Sequence, residues 1–376
     1  MKQYLEGIGL LLGMIIGAGI FGLPYAIYSS GIFWGLAHFI IALSVLLLIS
    51  LLYGEVTYLT AGKHRFAGYV GMYLGPYEKY LSFFLILFGN YGGLLVYGIL
   101  GGVFLHNIFS GAVYGEFWFS MIFFAFAALT VYVRFEKAGM INFYLTIPLL
   151  AFIIYLAVLS GKYFDVSNLH FDMSLRESWF TPYGVWLFAL SGFTVLPEVR
   201  DVMQGSGLKA FKRVIWVSTL IAAAFSLLFA LAVAGATGAG TTEEALRGLA
   251  TILGTGGVII GSVIGLLAVF TSYVATAEDF KELFISDYGF SKQWAWLFAV
   301  VPSIIIYFVK VPGLTDAFSF LGAVSFGVGG VFILRMSEKI SWNKEASMSR
   351  LPRFIKFMIA IGITAGSLYE IWRTFF

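Results

Sequence analysis

Two stretches of the sequence place glycine and proline at a matching spacing: Gly19 to Pro24 and Gly192 to Pro197 both read G-x-x-x-L-P. Proline removes a backbone donor and clashes with the preceding turn, while glycine admits unwound geometry. A helix carrying such a segment can break there and leave N–H and C=O groups without intrahelical partners. The chemistry on offer is that of the bare backbone. Exposed amides at the start of a half-helix attract an anion, and exposed carbonyls at the end of one attract a cation or an ammonium. An amino acid zwitterion presents both charges. The competing reading is structural, because Gly and Pro are common in membrane helices and pack or kink them. The shared spacing favours the site. Paired Gly/Pro-interrupted spans in two halves of a chain are the sequence pointer to a transporter binding site.

Ionisable groups are few. Glu55, Glu198, Glu278 and Asp279 fall towards the inner ends of apolar segments. A carboxylate inside a span is a functional candidate because burying it is expensive. Pairing with Arg200, Lys212 or Lys281 at an inner gate is favoured over a proton relay. His38 and His106 read as surface histidines near helix ends. The four histidines (His38, His64, His106 and His170) show no metal-ligand spacing, and the absence of cysteine excludes disulfides, thiolate metal sites and cysteine nucleophiles. No serine nucleophile elbow is present, so neither an enzyme nor a resident cofactor is expected. A channel would need a repeated filter or a ring of charges, which the sequence lacks.

The elements that must hold these residues are membrane helices. Hydrophobic residues make up 60% of the 376 and charged residues 11%, against about a quarter charged in soluble domains. Mean hydropathy is +0.91. The apolar runs reach the ~20 residues that cross a hydrocarbon core. The expected fold class is an all-α integral membrane protein of about eleven spans: 5–29, 33–59, 80–105, 117–133, 138–159, 182–199, 211–236, 252–280, 294–309, 315–335 and 354–372. The first run is too long and Gly-rich for a cleavable signal peptide and reads as a span. With the N-terminus inside, 18 of the 23 Lys and Arg residues fall inside, which predicts a cytoplasmic N-terminus and an outside C-terminus in the cell membrane. The breaks fall in spans one and six. Five helices per unit force opposite orientations, so one domain over 1–376 is expected to hold inverted repeats at about 5–161 and 182–335, with an extra helix at 354–372.

The stretch GMIIGAGIFGLPYAI (13–27) resembles the first-helix signature of the amino acid–polyamine–organocation superfamily, and FALSGFTVLPEVRDVM (188–203) resembles its sixth-helix signature. YGEVTYLTAGKHRFAGYVGMYLGPYEKYL (53–81) is similar to the end of helix two and the following loop. The eleven-span layout is nearest the amino acid/auxin permease and bacterial aromatic amino acid permease branch. The resemblance implies a five-plus-five fold with broken helices 1 and 6 and alternating access. It places the substrate carboxylate on amides near Gly17, Ala18 and Gly19, and the amino group against carbonyls near Leu190, Ser191 and Thr194. Phe193 matches the aromatic that closes over substrate. Metal-ion carriers of this fold use acidic and polar ligands at the breaks, and neither break here carries Asp, Glu, Asn or His.

Thr271 and Ser272 resemble the hydroxyl pair that sodium-coupled members use with helix-one carbonyls, here those of Gly13 and Ile16. Equally, such hydroxyls bond to their own backbone or to a neighbouring helix. Some proton-coupled relatives place a lysine midway along helix five, whereas this one carries only Tyr144 and Tyr155, with Lys137 at its cytoplasmic end. Na⁺ coupling is the expectation, with a proton-coupled permease or exchanger as the alternative. Helix three carries Asn90-Tyr91-Gly92-Gly93 and Tyr97, and helix eight Tyr273. The glycines either leave room for a bulky substrate or let helices approach, and the tyrosines offer aromatic faces. No acidic residue is expected at pocket depth, so a neutral amino acid, large and apolar or aromatic, is the expected substrate. The bilayer is the only other expected partner, with no nucleic acid.

Overall fold

The computed structural model describes residues 2–62, 64–109, 115–133, 138–171, 173, 177–309 and 313–376. Lys63, Arg134, Lys137, Arg176 and Lys310 from the charge count, and the Tyr144 side chain, lie outside them. Helix α1 (Lys2–Ile15) leads through a 3₁₀ turn (Ala18–Gly22) into α2 (Leu23–Ser30), and α3 (Ile32–Leu59) follows. A short α4 (Phe66–Leu74) occupies the connection to α5 (Pro76–Ile108), where the sequence suggested only a loop. Gly75, at φ +121°, turns the chain between them. Then come α6 (Glu116–Val133), α7 (Ala138–Ser160), α8 (Thr181–Ala189) and α9 (Leu196–Val202). The remainder is α10 (Leu208–Thr237), α11 (Ala250–Tyr288), α12 (Lys292–Val309), α13 (Leu314–Leu321), α14 (Gly327–Lys339) and α15 (Arg353–Phe375).

Among the described residues, eight helical stretches are long and apolar enough to cross a membrane, and α1 with α2, bent by 42°, makes nine. The expected eleven is reached only by counting α7 and the pair α8–α9 as spans five and six. At 1.5 Å per residue, the nine residues of α8 and the seven of α9 are each too short to cross alone. Between α13 and α14 the backbone makes a π turn at Gly322–Phe326.

Every residue of α8 is buried. It lies against α3 and α13, and Trp186 Nε1 donates to the Gly35 carbonyl at 3.1 Å. A Cβ on Gly184 would stand 1.9 Å from the Ser319 carbonyl oxygen, so α8 and α13 meet backbone to backbone. At the far end, the fully buried Glu370 accepts from Arg373 Nη2 at 2.7 Å. Arg373 also donates to Thr181 Oγ1 at 2.6 Å and to Ser319 Oγ at 3.3 Å, tying α15 to α8 and α13.

Two sequence expectations change here. His38 is not at the surface. It is 4% exposed, with its ring among Trp34, Trp179, Phe180 and Tyr183 and Nδ1 on the Trp34 carbonyl at 3.0 Å. Among the described residues Arg200 pairs with no carboxylate, and instead donates to the Thr60 and Gly62 carbonyls just past α3 at 2.9 and 2.6 Å. Glu55 does pair with Lys212, and Glu278 with Lys281 at 2.6 Å.

Candidate functional site

The two breaks are built alike and touch each other. Helix α1 stops at Ile15. The Gly17 amide bonds back to the Ile15 carbonyl at 3.0 Å, and the next turn closes only at Ile20 N to Gly17 O, 3.4 Å. The amides of Ala18 and Gly19 thus open a new helix, where N–H groups have no intrahelical acceptor. Helix α8 stops at Ala189. Ser191 N and Oγ donate to the Phe188 carbonyl at 3.3 and 3.0 Å, and a new turn starts at Phe193. A Cβ on Gly19 would lie 2.6 Å from Ala189 Cα, and one on Gly192 would lie 2.4 Å from Ile15 Cγ1. Each break carries the glycine that lets the other helix end approach.

A cavity of about 190 Å³ opens at this crossing, larger than the ~150 Å³ apolar cavity that admits benzene. Its wall brings together Gly17, Ala18 and Gly19 from the first break, Ser191, Phe193 and Thr194 from the second, and Tyr97 on α5. Asn90 and Gly93 on α5 and Ala275, Thr276 and Phe280 on α11 complete two further sides. Phe193 is 3% exposed, its ring near those of Tyr53, Phe66 and Phe326.

Leu190 and Tyr273 are not in that wall. Leu190 is 2% exposed behind the break, and Tyr273 sits a turn along α11 from Thr276 with its ring against Phe123 and Phe124 of α6. Gly13, Ile16, Thr271 and Ser272 are buried outside the wall. Thr271 Oγ1 donates to the Leu267 or Ala268 carbonyl at 3.0 or 3.1 Å, and Ser272 Oγ to that of Ala268 at 2.9 Å. Ser272 Oγ also stands 3.1 Å from the position a Gly17 Cβ would take, beside the first break.

Three parts of the lining were not expected there, Glu198 and Asp279 having been expected at an inner gate. Arg65, ahead of α4, pairs with Glu198 of α9 at 3.1 Å and Asp279 of α11 at 3.4 Å, and all three half-exposed groups line the cavity. This corrects the expectation of a pocket without acids: two carboxylates face it, with one guanidinium between them. Ser325 and Phe326 reach the wall from the π turn and Gly329 from α14; the glycine-rich run 322–330 was the available signal. Phe66 and Gly89 line it as well. On the other side of the breaks the space is filled. Phe21 packs edge-on to Phe104 and Phe229 at 4.9 and 5.9 Å, and Phe188 meets Phe318 at 4.9 Å. Among the described residues no three His, Cys, Asp or Glu side chains gather as a metal site would require.

The architecture is shared with solved transporters. The crystal structure of MhsT in complex with L-phenylalanine matches with a TM-score of 0.66 at 15% identity, over 99% of this chain and 98% of that one. Mhp1, a nucleobase-cation-symport-1 family transporter, matches in a closed conformation with bromovinylhydantoin bound at 0.68 and 14% identity, over 99% and 91%. Its inward-facing conformation matches at 0.62 and 15% identity, over 99% and 90%. No curated protein sequence matches significantly. The family model described as "Transmembrane amino acid transporter protein" spans residues 3–375. With this match over nearly its whole length, the chain belongs to the transmembrane amino acid transporter family, as a multi-pass membrane transporter and not an enzyme.

Proposed function

We propose that the protein is a secondary active carrier of a neutral amino acid with a large apolar or aromatic side chain, working by alternating access. The observation that carries this reading is the contact of two broken spans, Gly19 on Ala189 and Gly192 on Ile15, at the wall of one cavity. The substrate carboxylate sits against Gly17 on the amides of Ala18 and Gly19. Its ammonium faces the end of α8, where Leu190 contributes a carbonyl and Ser191 and Thr194 contribute oxygens. Phe193 covers the substrate, Tyr97 walls its side chain, and Tyr273 backs that wall from behind. Residues 5–161 and 182–335 act as inverted repeats with 354–372 appended, in a cell membrane with the N-terminus inside. In that orientation the cavity opens to the cytoplasm past Arg65.

Na⁺ is the coupling ion in this reading. Thr271 and Ser272 spend their hydrogens on α11 carbonyls, which leaves oxygen lone pairs to join the Gly13 and Ile16 carbonyls around a hard cation. The second reading, proton coupling or exchange, draws on the Arg65–Glu198–Asp279 cluster, where one cation faces two carboxylates.

Proteoliposome uptake of labelled neutral amino acids, with Na⁺ and proton gradients imposed separately, tests both. Na⁺-driven uptake with counterflow is expected. Thr271→Val should raise the half-saturating Na⁺ concentration by about tenfold, with substrate affinity at saturating Na⁺ changed less, because the two sites are distinct but coupled. Uptake that ignores Na⁺, follows pH and survives Thr271→Val would overturn the sodium reading in favour of the second. Absence of counterflow would overturn the carrier itself.

A further inference from the structure

Where α14 gives way to α15, the connection is pinned from within the protein. The fully buried Glu55 carboxylate accepts from the Met348 and Ser349 amides at 2.8 and 2.7 Å and from Ser349 Oγ at 2.6 Å. The Lys356 ammonium, on a residue 2% exposed, donates to Ser337 Oγ and to the Ser349 carbonyl, both at 2.8 Å. The turn held this way borders a cavity of about 300 Å³ lined by Arg350, Arg353 and Lys356, with Glu338 as its one acid. Both arginines are exposed, and neither makes a hydrogen bond or ion pair among the described residues. Directly beyond, α15 turns Phe354, Phe357 and Met358 outward at 71%, 62% and 51% exposure, and Trp342 in the same connection is 80% exposed. Exposed Trp is enriched at the boundary between hydrocarbon and headgroups, and Trp342 stands in the same connection as Arg350.

We propose that this cavity binds the phosphate of an anionic phospholipid, held by Arg350 and Arg353 over a floor that contains the Lys356 ammonium. A planar guanidinium meets phosphate oxygens as a fork, which a lone ammonium does not. The face is the Lys/Arg-rich one, and basic pockets between helices on a cytoplasmic face take such headgroups. Lys339 at the end of α14 and Lys344 in the connection do not line the cavity. They separate a built site from diffuse attraction by a positive surface.

The test is native mass spectrometry of the whole protein from micelles holding phosphatidylglycerol and phosphatidylcholine together. Retention of phosphatidylglycerol in preference to phosphatidylcholine is expected. R350Q/R353Q should lower that preference by at least about tenfold, since a basic residue near a lipid surface is worth roughly fivefold in binding, while K339Q/K344Q leaves it within about twofold. Equal losses in the two double variants, or no preference in the wild type, overturn the proposal in favour of diffuse charge. Displacement of the lipid by millimolar inorganic phosphate overturns it in favour of a soluble-anion site. If the arginine double variant does not fold, R350Q and R353Q singly should each lower the preference, and wild-type behaviour of both overturns the proposal.

Discussion

A methyl group added to Gly93 would meet nothing within 4 Å, whereas one added to Gly92 would lie 2.0 Å from Leu321 Cδ2. Consecutive helical residues point about 100° apart, so one glycine faces the cavity and the other the tenth span. Gly93→Ala should therefore melt like the wild type, and Gly93→Leu should cut uptake of bulky amino acids about tenfold or more while sparing small ones. Gly92→Ala should instead cost about 1–3 kcal/mol of stability through overpacking, seen in thermal denaturation. Gly19 cannot report on backbone binding, because its substitution collides with the α8 backbone at Ala189. Gly17→Ala crowds Ser272 Oγ at 3.1 Å and meets the Met14 carbonyl oxygen at an ordinary 3.9 Å, so it is the usable probe. It should weaken substrate binding in a protein that still folds, and unchanged affinity would remove the first break from the binding site. The contrast between Gly92 and Gly93 was not legible in the sequence. In water an amphipathic stripe tells which side of a helix is buried, but lipid and protein interior are both apolar, so α5 carries no such stripe.

Elements show the same divide between what glycine and proline announce and what only the fold supplies. Both breaks were legible because proline and glycine act on their own turn. Arg65 was not, since its partners lie on α9 and α11, far away in sequence. Its pairs are more than a third exposed, and pairs of that kind contribute about 0–1 kcal/mol. Arg65→Gln should thus leave the melting temperature nearly unchanged while altering the transport rate, because it frees α9 and α11 from a common tether. A large fall in stability would demote the cluster to structure. Glu55 is the opposite case. It is fully buried and joins α3 to Lys212 and to the turn before α15, and removing one partner of a buried pair costs about 3–5 kcal/mol. Glu55→Ala should unfold the protein at markedly lower temperature, and a melting curve like that of the wild type would contradict this.

At the scale of the molecule, the cavity reaches the Arg65 side and is closed on the other by packed phenylalanines. The chain has no cysteine, so a single introduced thiol reports access without a background. Ser325→Cys changes one atom in the cavity wall. In the proposed orientation a membrane-impermeant thiol reagent should label it from the cytoplasmic side faster than from the outside, and substrate should protect it. Equal labelling from both sides would mean the closed side is open in the membrane. Membrane class and most span positions were legible from hydropathy alone. The seal, built from Phe21, Phe104, Phe188 and Phe318, was not, because phenylalanine is as common facing lipid as facing the core.

The π turn at Gly322–Phe326 holds one residue more than the α-helical turn it replaces. Deleting a residue from an ordinary stretch of a span rotates everything beyond it by about 100° and turns its buried face to lipid. Deleting one here removes only the surplus. Helix α14 keeps its alignment with α3 and α15, and the cavity wall at Ser325 and Phe326 is redrawn. Among diverging copies of this gene, a single-codon loss at that point is therefore a step by which pocket shape can change while the scaffold is inherited intact.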